Sequence, residues 1–154
     1  MSQAVNAITW QFLSFEELSK QQLYEVLQLR SEVFVVEQAC VFQDMDGADA
    51  AAMHLLGTAS GQLLAYARCF AAGEKFAEAS VGRVITRNTL RGSGAGHLLM
   101  REALTCTLQR WGPQPVRIGA QAHLAQFYAQ HGFEDVGTPY MEDGIAHIEM
   151  LRSV

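Results

Sequence analysis

The sequence predicts an α/β fold built on a mixed sheet. Two observations carry this reading. Early β-type runs follow one another as a meander, and later ones alternate with helical patterns in the order β–turn–helix–β–helix–β–β. A third supports it: 154 residues, 49% hydrophobic and 18% charged, suffice for one domain over residues 1–154 with a substantial core. Residues 1–7 read as a loose N-terminal extension.

Taken in order, Ile8 to Leu13 is the first strand. Ser19 caps the helix that follows, with Gln22 three residues on as its capping-box partner and Leu18 closing onto Leu23 as a hydrophobic staple. Leu23, Leu27 and Arg30 share one face of this helix. The run Val33 to Val36 either prolongs the helix or forms a short strand, since periodicity does not separate the two. Gln43 to Ala50, with three aspartates and Gly47, reads as a loop. His54 to Thr58 and Leu63 to Phe70 are strands joined by the turn Ala59-Ser60-Gly61, and Ser80 to Thr86 is another strand. Arg91 to Gly96 is a glycine-rich turn. It opens a helix whose apolar positions Met100, Ala103, Leu104, Leu108 and Trp111 recur at helical spacing, and Gly112-Pro113 ends it. Val116 to Ala120 is a short strand, and Ala125 to His131 a short helix closed by Gly132. Two last strands, Phe133 to Val136 and Ile145 to Leu151, flank an Asp143-Gly144 turn.

The sharpest local signal is Arg91-Gly92-Ser93-Gly94-Ala95-Gly96 between a strand and an amphipathic helix. Glycines let backbone approach a ligand closely, and several N–H groups at a helix start can converge on one anion, with Arg91 as a cation at the mouth. That suits a pyrophosphate. A Walker loop would need Gly-Lys-Ser/Thr, and a dinucleotide loop G-x-G-x-x-G at the start of a βαβ unit; neither spacing is present.

Arg91-x-x-Gly94-x-Gly96, opening a helix after a strand, resembles the acetyl-CoA signature of the GNAT superfamily of N-acetyltransferases. Phe127-Tyr128-Ala129-Gln130-His131-Gly132-Phe133 is similar to that superfamily's F-Y-x-x-x-G-F segment. Leu29 to Gln38, Asp44-x-Asp46-Gly47, Gln121 to Leu124 and Glu142 to Ile148 resemble its ElaA-like branch. The resemblance covers nearly the whole chain. It implies a GNAT-like α+β fold: a mixed, mostly antiparallel central sheet flanked by helices, with a β–glycine loop–α site for acyl-CoA. It also implies acetyl-CoA as cosubstrate and no metal. Backbone N–H groups of Gly92, Ser93, Gly94, Ala95 and Gly96 would hold the pyrophosphate, and Val84-Ile85-Thr86 would pair through its backbone with the pantetheine arm. Thr86 stands where family members commonly carry an apolar residue, at little cost to a backbone contact.

Acyl transfer to an amine needs a neutral nucleophile, stabilisation of the oxyanion and protonation of the leaving thiolate. The resemblance places Tyr128 where the family's tyrosine donates to the coenzyme A sulfur, and a phenol is protonated at neutral pH. Histidine is the natural base near neutrality. His147 lies on an alternating strand opposite the face of Ile148, and His54 and His123 lie near strand ends. Because a carboxylate or ordered water often serves in the family, Glu37 and Asp46 join His54 and His123 as substrate-contacting candidates.

Asp44, Asp46 and Asp49 do not match an EF-hand, because Gly47 comes too early and Leu55 stands at position twelve. They read as a solvated turn or an acidic rim for a cationic acceptor. His97 and His131 read as surface or capping residues. Cys40, Cys69 and Cys106 form neither a disulfide framework nor a zinc motif. The net charge of −5 argues against nucleic acid and anionic membrane as partners. The absence of a basic–apolar leader and of any membrane-length apolar run points to the cytoplasm. The expected partner is a small-molecule or peptide amine, and a homodimer is compatible with the fold. Two other readings stand beside this one. Arg30-x-x-Val33-Phe34 with the Asp-x-Asp pair also resembles acyl-homoserine-lactone synthases, and a non-catalytic acyl-CoA-binding or sensing module would keep the loop.

Overall fold

The computed structural model describes residues 7–154, so nearly all of the expected N-terminal extension, residues 1–7, lies outside the described residues. Strand β1 is Thr9–Ser14. Helix α1, Lys20–Arg30, starts at the expected capping box: Ser19 Oγ accepts from the Gln22 N–H at 3.0 Å, and Gln22 Oε1 accepts from the Ser19 N–H at 2.9 Å. The ambiguous apolar run prolongs this helix as a π-turn, Ser31–Glu37, with Gln38 N–H donating to Val33 O and Cys40 N–H to Val35 O.

Strands β2 (Met53–Ala59), β3 (Gln62–Phe70) and β4 (Ala79–Thr86) form the expected antiparallel meander with β1. Trp10 of β1 faces Gly57 of β2, where any Cβ would lie 2.6 Å from the indole ring, so only glycine fits opposite this tryptophan. Helix α2 is Ala95–Trp111, β5 is Val116–Gln121 and α3 is Ala125–Ala129. Strands β6 (Phe133–Asp135) and β7 (Tyr140–Glu142) both pair with β8 (Ile145–Arg152). β7 is an addition to the sequence reading. It has three residues, all exposed, and Gly137-Thr138-Pro139 separates it from β6, so it offers neither an apolar run nor an unbroken ladder.

The sheet is eight-stranded, in the order β1-β2-β3-β4-β5-β8-β6, with β7 also on β8. Among the described residues its one parallel pair is β4–β5, so the fold is α+β with a mixed, mostly antiparallel sheet, as expected. Strand alternation feeds the two larger of three cores among the described residues, the smallest being Leu64, Leu90 and Ala95. Leu55, Ala67, Val81 and Ile118 pack beneath Leu99, Met100 and Ala103 of α2, and Phe133 joins them. Leu56, Leu63, Tyr66 and Ile85 pack with Val26 and Leu29 of α1 and with Val33 of the π-turn. No helix among the described residues is long and apolar enough to cross a membrane.

Candidate active site

The site begins where the sheet comes apart. β4 and β5 pair only at Ala79↔Val116 and Ser80↔Arg117. Beyond those pairs the strands diverge, and Val81 to Thr86 on one side and Ile118 to Gln121 on the other line a cavity of about 690 Å³. A bulge in β4 bends it away: Tyr66 pairs with Ile85 but Arg68 pairs with Gly82, so β4 carries one residue more than β3 across this step. Within the bulge Arg83 adopts φ +49°, a left-handed conformation that a non-glycine residue holds only when its surroundings enforce it. Here they do. Asp44 accepts from Arg83 Nε at 2.8 Å, and the guanidinium lies 5.8 Å from the ring centres of both Phe34 and Phe42.

The glycine loop follows β4. Gly92 and Gly94 have φ of +81° and +86°, and Gly94 caps α2 with no side-chain acceptor at the helix start. Among the described residues no acceptor is found for the N–H groups of Gly92, Gly94, Ala95 or Gly96. Four donors beside an open helix start can hold an anion. Ser93 differs from the expectation, because its N–H and its hydroxyl both donate to the carbonyl of Leu90. A smaller space of about 130 Å³, lined by Val84, Ile85, Thr86, Gly96, Leu99 and Tyr128 among others, connects loop and strand.

Tyr128 faces both spaces and is 8% exposed. Its ring is fixed edge-on by Phe127 at 5.1 Å and Phe133 at 6.1 Å, and its hydroxyl has no hydrogen-bond partner among the described residues. Burial pushes the phenol up to about 12, so it stays protonated throughout the physiological range. His147 also lines the cavity. Its Nδ1 lies 2.8 Å from the carbonyl of Ile145, which can only accept, so Nδ1 carries the proton. In the neutral ring that leaves the lone pair on Nε2, 3.5 Å from Glu142 Oε2, and the ring stacks on Tyr140 at 5.7 Å.

Of the substrate-contacting candidates, Glu37, Asp46 and His123 line the cavity and His54 does not. His54 is fully buried, with Nδ1 2.5 Å from the Tyr66 hydroxyl and Nε2 2.9 Å from the carbonyl of Asp49. That carbonyl can only accept, so Nε2 donates and Nδ1 accepts from the tyrosine; burial lowers this histidine and keeps it neutral. The aspartate loop is neither a solvated turn nor a free acidic rim. Three arginines from distant elements consume its carboxylates. Arg30 donates to Asp44 and Asp49, Arg68 to Asp46 and Asp49, and Arg83 to Asp44. Arg68, through two hydrogen bonds, holds the Asp46 carboxyl far below the usual carboxylate range. Desolvation alone would raise Asp49, but Arg30 and Arg68 outweigh it and leave it lowered.

Sequence reasoning missed these arginines, although their positions were a signal. Arg30 sits on the apolar face of α1, and Arg68 and Arg83 sit in apolar strands, where a guanidinium must find carboxylates. The resulting frame carries the cavity wall. It ties the loop after the π-turn to the bulge of β4, while Cys40 Sγ donates to Asp143 O at 3.1 Å and Gln121 Nε2 to Gln38 Oε1 at 3.3 Å, joining that loop to β5 and the last hairpin.

A split mixed sheet, a bulged strand and an uncapped helix start together define the fold class of the acyl-CoA N-acyltransferases. The chain belongs to the acetyltransferase (GNAT) domain family, whose profile matches residues 15–154. It is similar to the protein ElaA of Escherichia coli (strain K12), with 46% identity over 149 residues, covering 96% of this chain and 97% of that protein. Among solved structures it resembles E. coli ElaA (TM-score 0.89, 45% identity, 95% of this chain and 99% of that one). It also resembles an acyl-CoA N-acyltransferase from Pseudomonas aeruginosa (TM-score 0.91, 41% identity, 95% and 99% covered). The AHL synthase LasI shares the fold alone, with TM-score 0.75, 18% identity, and 95% of this chain and 89% of that one covered.

Proposed function

We propose that this chain is an N-acetyltransferase that passes an acetyl group from acetyl-CoA directly to the amine of a small molecule or peptide. The observation that carries the reading is the gap between β4 and β5, with Arg91 and Tyr128 in its wall, beside a smaller space that shares Val84-Ile85-Thr86 and Tyr128 with it and reaches Gly96 at the uncapped start of α2. Acetyl-CoA supplies the acyl group as an activated thioester. The N–H groups of Gly92, Gly94, Ala95 and Gly96, with Arg91, hold its pyrophosphate, while the edge of Val84-Ile85-Thr86 that faces β5 has no strand partner among the described residues and is open to the pantetheine amides.

Tyr128 donates its proton to the departing sulfur, a role favoured by a phenol kept neutral by burial and unspent on any protein acceptor. His147 Nε2 takes the proton of the attacking amine, with Nδ1 held by Ile145 O so that the ring keeps that orientation. Glu37 and His123 contact the acceptor, and Asp46 serves through Arg68 as part of the wall. His54 has its nitrogens occupied and acts in the core. Thiol release from acetyl-CoA across a panel of amines tests the reading. Acceptor-dependent release supports it, whereas binding of acetyl-CoA without release on a broad panel would assign a sensing role instead.

A further inference from the structure

Two ion pairs cross from the π-turn to the segment between β4 and α2. Glu32 Oε2 meets Arg87 Nη1 at 2.9 Å, and Glu37 Oε2 meets Arg91 Nη2 at 2.6 Å. The π-turn makes the matching possible. In an α-helix, side chains five residues apart would point about 140° apart, whereas the wider π-turn brings them back toward one side. The two pairs differ in how firmly they are anchored and in whether they face the cavity. Arg87 is anchored a second time, through Nε to the carbonyl of Leu63 at 3.0 Å, and neither Arg87 nor Glu32 lines the cavity. Glu37 and Arg91 both line it, and each is the other's one side-chain partner among the described residues. Arg91 is also half exposed, at 49%.

Resting on the cofactor site proposed above, we infer that Glu37 and Arg91 form a latch that couples cofactor binding to the binding of a cationic amine. Arg91 opens the loop whose free N–H groups face the pyrophosphate position. A pyrophosphate there competes with the Glu37 carboxylate for one guanidinium, because both are oxyanions that an arginine fork can grip. When the pyrophosphate takes Arg91, Glu37 is left as an unpaired carboxylate on the cavity wall and attracts an ammonium group. Asp46, the neighbouring carboxylate of the wall, is committed to Arg68 and is not released. The coupling is reciprocal by linkage: an ammonium on Glu37 frees Arg91 and tightens the cofactor. The acceptor class this selects is an amine that arrives protonated.

Calorimetric titration of coenzyme A into the wild type, Glu37→Gln, Arg91→Gln and the double variant tests the latch without any turnover. Glu37→Gln binds coenzyme A about threefold more tightly than the wild type at low ionic strength, the size expected for release of a partly exposed ion pair, and the gain shrinks as salt is added. Arg91→Gln weakens binding, and adding Glu37→Gln to it changes nothing further. An unchanged or weaker affinity in Glu37→Gln overturns the latch. So does an equal gain in the Arg91→Gln background, which would be general repulsion between Glu37 and the phosphates. Failure of the wild type to bind coenzyme A would overturn the cofactor site itself, and the latch with it.

Discussion

Replacing Tyr128 by phenylalanine separates chemistry from architecture at this site. The hydroxyl has no partner among the described residues, so its removal breaks no protein hydrogen bond, and the ring contacts with Phe127 and Phe133 survive. Stability should therefore change by less than about 0.5 kcal/mol, or roughly 2 °C in Tm for a chain of this size. Coenzyme A affinity should stay within about threefold, because the loop and strand contacts are untouched. Loss of a positioned proton donor, by contrast, typically costs 10²–10⁴ in rate, and kcat should fall at least about 100-fold, equivalent to about 2.7 kcal/mol of barrier. Stopped-flow thiol detection under saturating acetyl-CoA, with calorimetry for binding and scanning calorimetry for Tm, measures all three. Because burial pushes the phenol up to about 12, the wild-type rate should also show no alkaline loss attributable to Tyr128 below about pH 10. A variant that turns over like the wild type would refute the assignment, and so would one whose rate loss is matched by lost cofactor affinity.

Other outcomes follow from the same contacts. Arg30→Met removes a fully buried guanidinium but leaves Asp44 with Arg83 and Asp49 with Arg68; stability should fall by about 3 kcal/mol, and chemical denaturation measures it. Asp46 and Asp49 have lowered values in the folded state, so the stability they contribute is complete above the ordinary aspartate range near 3.9 and is lost as pH falls below it. Urea titrations between about pH 6 and 2 should show that loss, and Asp46→Asn should flatten it. His147→Gln should lower kcat about 100-fold with coenzyme A affinity unchanged, read by the same thiol assay and titration.

Local rules made much of this architecture legible. Ser19 and Gln22 announce the start of α1 because a capping box is a contact within four residues, and Asp143-Gly144 announces a hairpin because both residues must take positive φ. The turn at the glycine loop is equally local, since Gly92 and Gly94 take the positive φ that glycine adopts freely. What escaped depends on distance in sequence. The aspartates of the loop look solvated until Arg30, Arg68 and Arg83 arrive from α1, β3 and β4 to claim them. The run Val33 to Val36 stayed ambiguous because a π-turn follows neither the helix period nor the strand period. Glu37 could be nominated as a substrate contact, but its pairing with Arg91, 54 residues away, exists only once α1 has packed on the sheet.

The most direct test of the account is thermal unfolding in the presence of acetyl-CoA. A ligand bound only by the folded state and present at 100 times its Kd adds about 2.7 kcal/mol of stability, which should raise Tm by about 5–10 °C. ATP and NAD at the same concentration should leave Tm where it is, since the loop matches neither of their fingerprints. A saturating concentration of acetyl-CoA that produces no shift, or an equal shift with ATP, would contradict the assignment of the β4–β5 gap and its glycine loop to acyl-CoA.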